Sequence, residues 1–213
     1  QLQLENKQQE LLKNYEDIEK IAYTDALTGL YNRMAFYKYA NEILMSSKLG
    51  KENHAIIFID LDGFKAINDT LGHDYGDLLL QAVSSKLSSF IDENDLLARN
   101  GGDEFVILKN RYQSIAQLEE FLSTLVSIAM HPFVLDDETV HITLSAGAAL
   151  FPQNGVSLTE LMKNADIAMY TSKNSGKNSY TFFNASMEDE LNRRNDLIDI
   201  LRDAIANKNI YLL

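Results

Sequence analysis

The chain has 213 residues and a formal net charge of −12, because 19 Lys and Arg stand against 31 Asp and Glu. This length fits one domain of ordinary size with some additional helix. The acidic balance leaves no basic surface to neutralise phosphates, so general nucleic-acid binding is not expected. Because the chain contains no Cys, it excludes disulfides, thiolate metal sites and cysteine nucleophiles.

The longest apolar runs are much shorter than the roughly 20 residues that a membrane-spanning helix needs. We therefore expect a soluble chain, and the acidic, cysteine-free composition favours a cytoplasmic location. It begins with Gln1, and no apolar signal core follows. We interpret it as a piece of a longer protein, with room upstream for a sensor domain or a membrane anchor.

Residues 1–23 are predicted to form a helix. Leu4, Leu11 and Ile18 recur at seven-residue spacing in a segment rich in Gln, Glu and Lys, which is typical of a helix with an apolar stripe. The stripe favours a dimerising coiled-coil linker. The alternative is a solvated helix that packs on its own domain.

The rest of the chain alternates between helical and extended patterns. Helices are predicted over residues 34–47, 71–90, 114–130, 157–172 and 186–206, and strands over residues 54–60, 140–150, 180–183 and 210–213. Two apolar segments around Asn100, Gly101 and Gly102 predict a hairpin. The pattern indicates an α/β (α+β) fold with a central mixed sheet flanked by helices.

Two acidic residues, Asp60 and Asp62, follow the buried strand and precede the turn Gly63-Phe64-Lys65. Two carboxylates in such a place are costly to desolvate unless a cation pairs with them. Mg²⁺ suits them, since it takes one or two carboxylates together with substrate phosphates. The alternative is a surface turn capped by Asp.

The predicted hairpin tip carries Asp103 and Glu104 after two glycines. Glycine allows a tight turn and the close approach of a ligand. A turn without any role in chemistry is an equal alternative on this segment alone.

Several other classes of site find no support in the sequence. The four histidines follow no zinc-binding spacing and are interpreted as structural: His54, His73, His131 and His141. The segment around Gly176-Lys177 lacks the pattern of a phosphate-binding Walker loop, and no serine stands in a nucleophile elbow.

Five motifs occur in an order that resembles the GGDEF family of diguanylate cyclases. They are TDALTGLYNR, FIDLDGFKAINDTLGHDYGD, ARNGGDEFVIL, SAGAAL and ADIAMYTSKNSGKNSY. The resemblance covers residues 24–183. It implies a fold like the polymerase palm and the nucleotidyl cyclases, and an enzyme that condenses two GTP into cyclic di-GMP with release of two pyrophosphates.

The resemblance also implies a metal site and a catalytic pair. Mg²⁺ or Mn²⁺ would be bound by Asp60, by the backbone carbonyl of Leu61 and by Asp103. Glu104 would assist the metal or the deprotonation of the 3′-hydroxyl group, and Lys65 is counted with Asp103 and Glu104 as catalytic.

For the substrate, the resemblance implies phosphate binding at the turn and at two lysines, and guanine recognition at two polar residues. The phosphate-binding set is Gly63, Phe64, Lys65, Lys173 and Lys177, the last two at the γ-phosphate. Gly101 and Gly102 are counted with the substrate-binding residues. Asn68 and Asp77 would read guanine, because an Asp accepts hydrogen bonds from the N1 and N2 donors that adenine does not offer in this arrangement.

One motif departs from the family. Its product-inhibition site is R-x-x-D, whereas this chain has Asp92 in place of the arginine and retains Asp95. An acid cannot readily bind an anionic dinucleotide, so we predict weak or absent feedback inhibition by this route. Arg99 could provide a residual affinity for the dinucleotide product.

The C-terminal segment, residues 185–213, resembles the linker helix and first strand of an EAL phosphodiesterase domain; the alternative is a plain C-terminal helix. We therefore divide the chain into a linker helix (1–23), a GGDEF domain (24–184) and a linker with the start of a truncated EAL domain (185–213). The full protein would be a tandem GGDEF-EAL protein.

The expected function is that of a diguanylate cyclase in which two protomers, each holding one GTP, form a homodimer for catalysis. A second hypothesis is a catalytically silent GTP-binding module that regulates an attached EAL domain. A third, a structural dimerisation module that binds no nucleotide, is disfavoured by the intact Asp60, Asp103 and Glu104.

Overall fold

Strand β2 lies at the centre of the fold, and all nine of its residues, His54–Asp62, are buried. Its apolar, β-branched centre is typical of a strand covered on both faces, and this prediction is confirmed. The strand pairs antiparallel with β4 (Glu104–Lys109) on one side and with β7 (Thr143–Phe151) on the other. The carboxyl end of β2 therefore lies beside the start of both neighbours.

The computed structural model describes Lys7, residues 21–47 and residues 52–206. Most of the predicted N-terminal helix, residues 1–23, and the predicted extended segment 210–213 lie outside the described residues.

The described elements form a six-stranded mixed sheet with helices on both faces and a separate two-stranded hairpin. The remaining strands are β1 (Tyr31–Asn32), β3 (Leu96–Gly101), β5 (Phe133–Leu135), β6 (Glu138–Val140) and β8 (Ser179–Phe182), and the helices are α1 (Arg33–Ser47), α2 (Phe64–Leu71), α3 (His73–Phe90), α4 (Ile115–Met130), α5 (Leu158–Asn174) and α6 (Ala185–Ala206). The sheet order is β1-β3-β4-β2-β7-β8, with β5 and β6 paired apart from it. The β1–β3 and β7–β8 pairs are parallel. The predicted central mixed sheet flanked by helices is confirmed.

Two hydrophobic layers cover the sheet, one on each face. The alternation of side chains along β2 sends Ile57 and Ile59 into the layer that includes α3 and α4. It sends Ile56 and Phe58 into the layer that includes α1 and α5. Asp60 and Asp62 continue the second series, so their side chains point to the face that α5 covers.

Helix α5 rests directly on the backbone of β7. A Cβ atom added to Gly147 would lie 2.0 Å from the backbone nitrogen of Met169 and 2.1 Å from the carbonyl oxygen of Ala165. Only glycine allows this approach. The contact fixes the height of α5 above the sheet, and with it the position of every side chain that α5 presents to β2.

The structure differs from the sequence prediction in three places. The turn expected after Gly63 leads at once into helix α2, and Gly72, with φ of +92°, separates α2 from α3. The strand predicted over residues 140–150 is divided between β6 and β7. The hairpin of β5 and β6 was not predicted, since three-residue strands are too short to show a periodic pattern.

Helix α6 agrees with the predicted charged helix over residues 186–206. It lies against α5, where Lys163 and Glu188 form an ion pair of 2.5 Å. Further along it carries exposed apolar side chains, including Leu197, Ile200 and Ile205. Within the residues that the structure describes, none of the helices combines the length and the apolar character that a bilayer crossing needs.

Candidate active site

The acidic residues predicted from separate motifs meet at one edge of the sheet. Asp60 is the register partner of Glu104 on β4 and of Ser145 on β7. The backbone N–H of Leu61 donates to the carbonyl oxygen of Asp103 over 3.3 Å. Asp60, Asp103 and Glu104 therefore belong to one place, where the end of β2 meets the tip of the β3–β4 hairpin.

A lysine pairs with the most buried of these carboxylates. Lys173, in the last turn of α5, donates a hydrogen bond of 2.6 Å to Oδ1 of Asp60. The Asp60 side chain is 9% exposed and that of Lys173 is 34% exposed, so solvent screens the pair only in part.

The two partners influence each other's protonation. Burial raises the pKa of Asp60 above its usual range, the bond from Lys173 opposes this rise, and the charges of Asp103 and Asp62 add to it. Burial alone would lower the pKa of Lys173, but the bond to Asp60 and the charges of Asp103 and Asp62 raise it. Lys173 therefore stays charged at neutral pH among three carboxylates.

The donor set at this edge suits a hard cation that takes most of its ligands from a substrate. Asp60, the carbonyl of Leu61 and Asp103 supply oxygen atoms, whereas the described residues contain no cluster of three His, Cys, Asp or Glu able to hold a metal by themselves. Mg²⁺ needs only one or two carboxylates when phosphates and waters complete its shell. The residues thus fit Mg²⁺ or Mn²⁺ and do not fit a closed zinc site.

Asp62 differs from Asp60, although the two stand together in the sequence. Its Oδ1 accepts a hydrogen bond from Ser145 Oγ (2.8 Å), and its Oδ2 accepts from Thr143 Oγ1 (2.7 Å) and from the backbone N–H of Asn178 (3.0 Å). Both carboxylate oxygens are therefore used inside the protein. Of the two aspartates, Asp60 therefore stays a candidate metal ligand, whereas Asp62 does not.

The turn after β2 presents backbone amides and one exposed cation. Gly63 has φ of +82° and precedes α2 without a side-chain cap. The N–H of Ala66 already donates to the carbonyl of Gly63, so the N–H groups at the start of α2, those of Phe64 and Lys65, are the ones open to an anion. Phe64 is 8% exposed and belongs to the hydrophobic core. Its role toward a ligand is therefore limited to its backbone, while Lys65 is exposed.

The two predicted guanine-reading residues lie on facing parts of α2 and α3. A Cβ atom on Gly76 would lie 1.9 Å from Oδ1 of Asn68 and 3.2 Å from Phe64 Cζ, so Asn68 packs against the backbone just before the exposed Asp77. Oδ1 of Asn68 is buried, and no hydrogen-bond donor of the described residues reaches it. An unsatisfied amide oxygen of this kind suits a site that a polar ligand completes.

The hairpin tip is held by contacts that the sequence did not indicate. Arg99 Nε donates to the carbonyl of Gly102 (2.9 Å), and its Nη1 donates to Asp25 (3.1 Å). Asn100 Nδ2 donates to Glu104 (2.9 Å). The guanidinium of Arg99 therefore supports the tip, which conflicts with the residual role in product binding that we considered for it.

Two acidic residues at this edge were also missed. Desolvation would raise the pKa of Asp25, but hydrogen bonds from Thr28 and Arg99 lower it below its usual value. Partial desolvation and the charge of Glu104 raise the pKa of Asp166 on α5. Both residues lie in motifs that carry the family resemblance, TDALTGLYNR and ADIAMYTSKNSGKNSY. The motifs could therefore have pointed to them, although no role was assigned to either residue.

The second predicted γ-phosphate lysine stands in a tight turn between α5 and β8. Lys177 and Asn178 have φ of +63° and +47°, and the side chain of Lys177 is exposed. In the described part of the chain, neither Lys177 nor Lys65 forms an ion pair. These cations remain available to an anionic ligand.

The two acids of the degenerate inhibitory motif, Asp92 and Asp95, both pair with a buried lysine of the same domain. Lys109 Nζ lies 2.5 Å from Asp92 Oδ2 and 2.8 Å from Asp95 Oδ2. Burial would lower the pKa of Lys109, but the two carboxylates raise it. Asp95 also accepts hydrogen bonds from the backbone N–H groups of Asp92 and Asn110, so its oxygens serve the fold.

Comparison with known proteins gives one consistent result. The family model described as "Diguanylate cyclase, GGDEF domain" matches residues 22–179. The bifunctional diguanylate cyclase/cyclic di-GMP phosphodiesterase MucR of Pseudomonas aeruginosa is 36% identical over 196 residues, which are 92% of this chain and 28% of MucR. The chain spans only 24–29% of the first curated relatives that it matches.

Solved structures agree with the fold. The GGDEF domain of TpbB from Pseudomonas aeruginosa superposes with a TM-score of 0.77 at 33% identity, covering 80% of this chain and 99% of that one. The coiled coil and GGDEF domain of DgcB from Caulobacter crescentus, solved in complex with c-di-GMP, gives a TM-score of 0.77 at 27% identity and covers 85% and 96%.

Proposed function

Because the chain belongs to the GGDEF family of diguanylate cyclases, we propose that it condenses two GTP into cyclic di-GMP and two pyrophosphates. The observation that carries the proposal is the meeting of Asp60, Asp103 and Glu104 at one edge of the sheet, beside Lys173. Carboxylates beside an ammonium group suit a substrate that brings both phosphates and a divalent cation.

In this proposal, GTP lies across the edge formed by β2, α2 and the hairpin tip. Asn68 and Asp77 read the guanine, since the buried Oδ1 of Asn68 has no hydrogen-bond partner among the described residues and a carboxylate accepts from the guanine N1 and N2 donors. The first-turn amides of α2, with Lys65, Lys173 and Lys177, hold the triphosphate. Gly101 and Gly102 leave room for the substrate at the tip, because a Cβ atom on either would meet nothing within 4 Å.

Asp60, the carbonyl of Leu61 and Asp103 would hold Mg²⁺ or Mn²⁺. When bound, the metal supplies charge that stabilises the α-phosphate in the transition state. Lys173 then exchanges its bond to Asp60 for one to the terminal phosphate.

The reaction needs two active sites that face each other. The 3′-oxygen of one GTP attacks the α-phosphorus of the other, the bond to the β-phosphate oxygen breaks, and pyrophosphate leaves. Glu104, held by Asn100 at 2.9 Å, receives the proton of the 3′-hydroxyl group. Because each protomer binds one GTP, a homodimer must hold both reactants in register.

A second candidate is a GTP-binding module that regulates an attached phosphodiesterase domain. MucR, which carries both activities in its name, favours a longer protein of this kind. So does helix α6, which carries the exposed apolar side chains of Leu197, Ile200 and Ile205. A cytoplasmic location agrees with either function, because both use GTP.

The test is to incubate the purified protein at several concentrations with GTP and Mg²⁺ and to measure cyclic di-GMP and pyrophosphate. We expect product to rise more steeply than protein concentration, and to vanish in Asp103→Asn and in Glu104→Gln. Lys163→Met, which removes an exposed cation from α5, is the matched control and keeps its activity. GTP binding without product at high concentration would favour the regulatory module, and absence of GTP binding would contradict both candidates.

A further inference from the structure

Asp62 is a buried carboxylate that the proposed reaction does not use. Its residue is 9% exposed, and no cation of the described residues pairs with it. Three donors, Thr143, Ser145 and the N–H of Asn178, compensate its charge instead. Hydrogen bonds to an ionised acceptor are stronger than neutral ones, so this arrangement binds the three donor segments firmly to the end of β2.

One of these donors belongs to a turn with an unfavourable backbone. Lys177 and Asn178 are consecutive non-glycine residues with positive φ, a conformation that costs free energy and persists only where surrounding contacts impose it. The N–H of Lys177 donates to the carbonyl of Ser172 over 3.2 Å. The N–H of Asn178 donates to Asp62 over 3.0 Å, so the turn is attached at one side to α5 and at the other to β2.

The same network fixes the strand that follows. Ser145, which donates to Oδ1 of Asp62, is the register partner of Ser179, the first residue of β8. Asp62 thereby joins β2, β7 and the start of β8. The turn that carries Lys177 has no freedom to move along the sheet while these bonds persist.

The turn also brings a cation to the active-site edge. Lys173 reaches Asp60, and the residue after Lys177 reaches Asp62, two positions further along the same strand. Lys177 is exposed and unpaired in the described residues, so its ammonium group is free to meet an anion next to Lys173.

We propose that Asp62 is a positioning residue that holds the turn of Gly176, Lys177 and Asn178, and so directs Lys177 to the terminal phosphate of a nucleoside triphosphate. The inference deepens the proposed function and rests on it. Asp62 touches neither substrate nor metal. It acts through the N–H of Asn178, and its effect depends on the presence of a third phosphate.

This dependence separates a positioning role from a merely structural one. Binding of GTP and of GDP, each with Mg²⁺, is measured by calorimetry on the wild type, Asp62→Asn, Lys177→Met and the double variant. We expect Asp62→Asn and Lys177→Met each to weaken GTP binding by about tenfold and to leave GDP binding within about twofold. In the Lys177→Met background, Asp62→Asn should add almost nothing, since the cation that it positions is absent.

The matched control is Ser145→Ala, which removes a donor from the other oxygen of Asp62 and leaves the bond to Asn178. It should keep the wild-type ratio of GTP to GDP affinity. An equal loss of GTP and GDP binding in Asp62→Asn would overturn the proposal, as would a full additional loss in the double variant.

A second pair of variants tests the turn itself if Asp62→Asn does not fold. Asn178→Ala makes the positive φ more costly, whereas Asn178→Gly makes it less costly. Selective loss of GTP affinity in the alanine variant alone supports the proposal, and equal affinities in the two variants contradict it. A wild type that binds no GTP would overturn the proposed function, whereas a wild type that binds GTP no better than Asp62→Asn overturns only this inference.

Discussion

The ammonium group of Lys173 donates to the carboxylate of Asp60 over 2.6 Å, from the last turn of α5 to the end of β2. The pair neutralises the most buried acid of the site in the absence of ligand. In the proposed function, a divalent cation would replace Lys173 beside Asp60 and a phosphate would replace Asp60 beside Lys173. Each charge of this pair would then stay balanced, which limits the desolvation cost of binding.

Substitution of Lys173 should show how much its pairing with Asp60 and with a phosphate contributes to activity. In Lys173→Met, Asp60 loses its partner and the terminal phosphate loses a cation, so we expect cyclic di-GMP formation to fall by about a hundredfold. Turnover at saturating and limiting GTP measures the effect. Lys163→Met on the same helix should stay within about twofold of the wild type, because exposed ion pairs contribute little; equal losses in both variants would refute the assignment.

Substitution of Gly147 should affect stability and activity together. A methyl group there would collide with the backbone of α5 at Met169 and Ala165, and no side-chain rotation relieves such a contact. We expect Gly147→Ala to reduce the free energy of unfolding by about 3 kcal/mol and to lower activity, since α5 carries Lys173.

Urea denaturation and turnover below the unfolding midpoint measure the two effects. Ala149→Gly, on the same face of β7, should cost about 1 kcal/mol and retain most of the activity. A Gly147→Ala protein with wild-type stability would show that α5 adjusts freely.

The stability of the domain should fall at mildly acidic pH because of His54. This residue is fully buried, its Nε2 lies 2.7 Å from Ser47 Oγ, and its Nδ1 accepts from the N–H of Arg111. Burial lowers the pKa of His54 below its usual value of 6.5, although Glu52 opposes the shift. Below pH 6.5 the unfolded chain therefore binds a proton that the folded chain does not bind. The free energy of unfolding decreases as the pH falls below 6.5.

Chemical denaturation across this range, on the wild type and on His54→Gln, tests the prediction. The variant should show a shallower loss of stability between pH 6.5 and the folded pKa of His54. His141→Gln, at an exposed position, is the control for the loss of a histidine. Parallel curves for the wild type and His54→Gln would assign the acid sensitivity to other groups.

Product inhibition should be weak in the wild type and should respond to a single substitution. Lys109 pairs with Asp92 and Asp95, and the neighbouring Arg111 pairs with Glu52, so among the described residues both cations beside this motif already have a carboxylate partner. We expect added cyclic di-GMP to leave the initial rate unchanged, and Asp92→Arg to create inhibition with an apparent affinity at least about tenfold stronger.

Glu93→Arg adds the same charge one residue away and serves as the matched control, which should not create inhibition. Initial rates measured at increasing cyclic di-GMP concentration show which of the three proteins is inhibited. Strong inhibition of the wild type would mean that the dinucleotide binds elsewhere on the domain.

Part of the site was predictable because local patterns carried it. An unbroken apolar strand that ends in Asp60, and two apolar segments around a glycine-rich tip, are short-range signals. They predicted the strand and the hairpin whose ends carry Asp60, Asp103 and Glu104, while the family resemblance joined these residues in one site. The different roles of Asp60 and Asp62 were not predictable, since they depend on Lys173 and Ser145, which are far away in the sequence. Two aspartates that look equivalent in the sequence can be told apart only by the distant donors that bind to each of them in the fold.

The fold was predictable to a similar degree. Period-2 and period-3.6 patterns identified the long elements. Helix α2 was missed because it has only eight residues and directly follows Gly63, whose left-handed conformation is typical of a turn. The contact of Arg99 with Asp25 was hidden for another reason: each residue alone is an ordinary polar position, and only the sheet brings them together.

The antiparallel neighbours of β2 have a practical consequence for work on this domain. The proposed active site lies where β2 ends and β4, β7 and β8 begin, so the opposite edge of the sheet is remote from it. Gln113, which follows β4 and precedes the N-cap Ser114 of α4, is exposed at that opposite edge. A fluorophore or affinity handle attached to its side chain would report on the domain from the edge remote from the proposed active site.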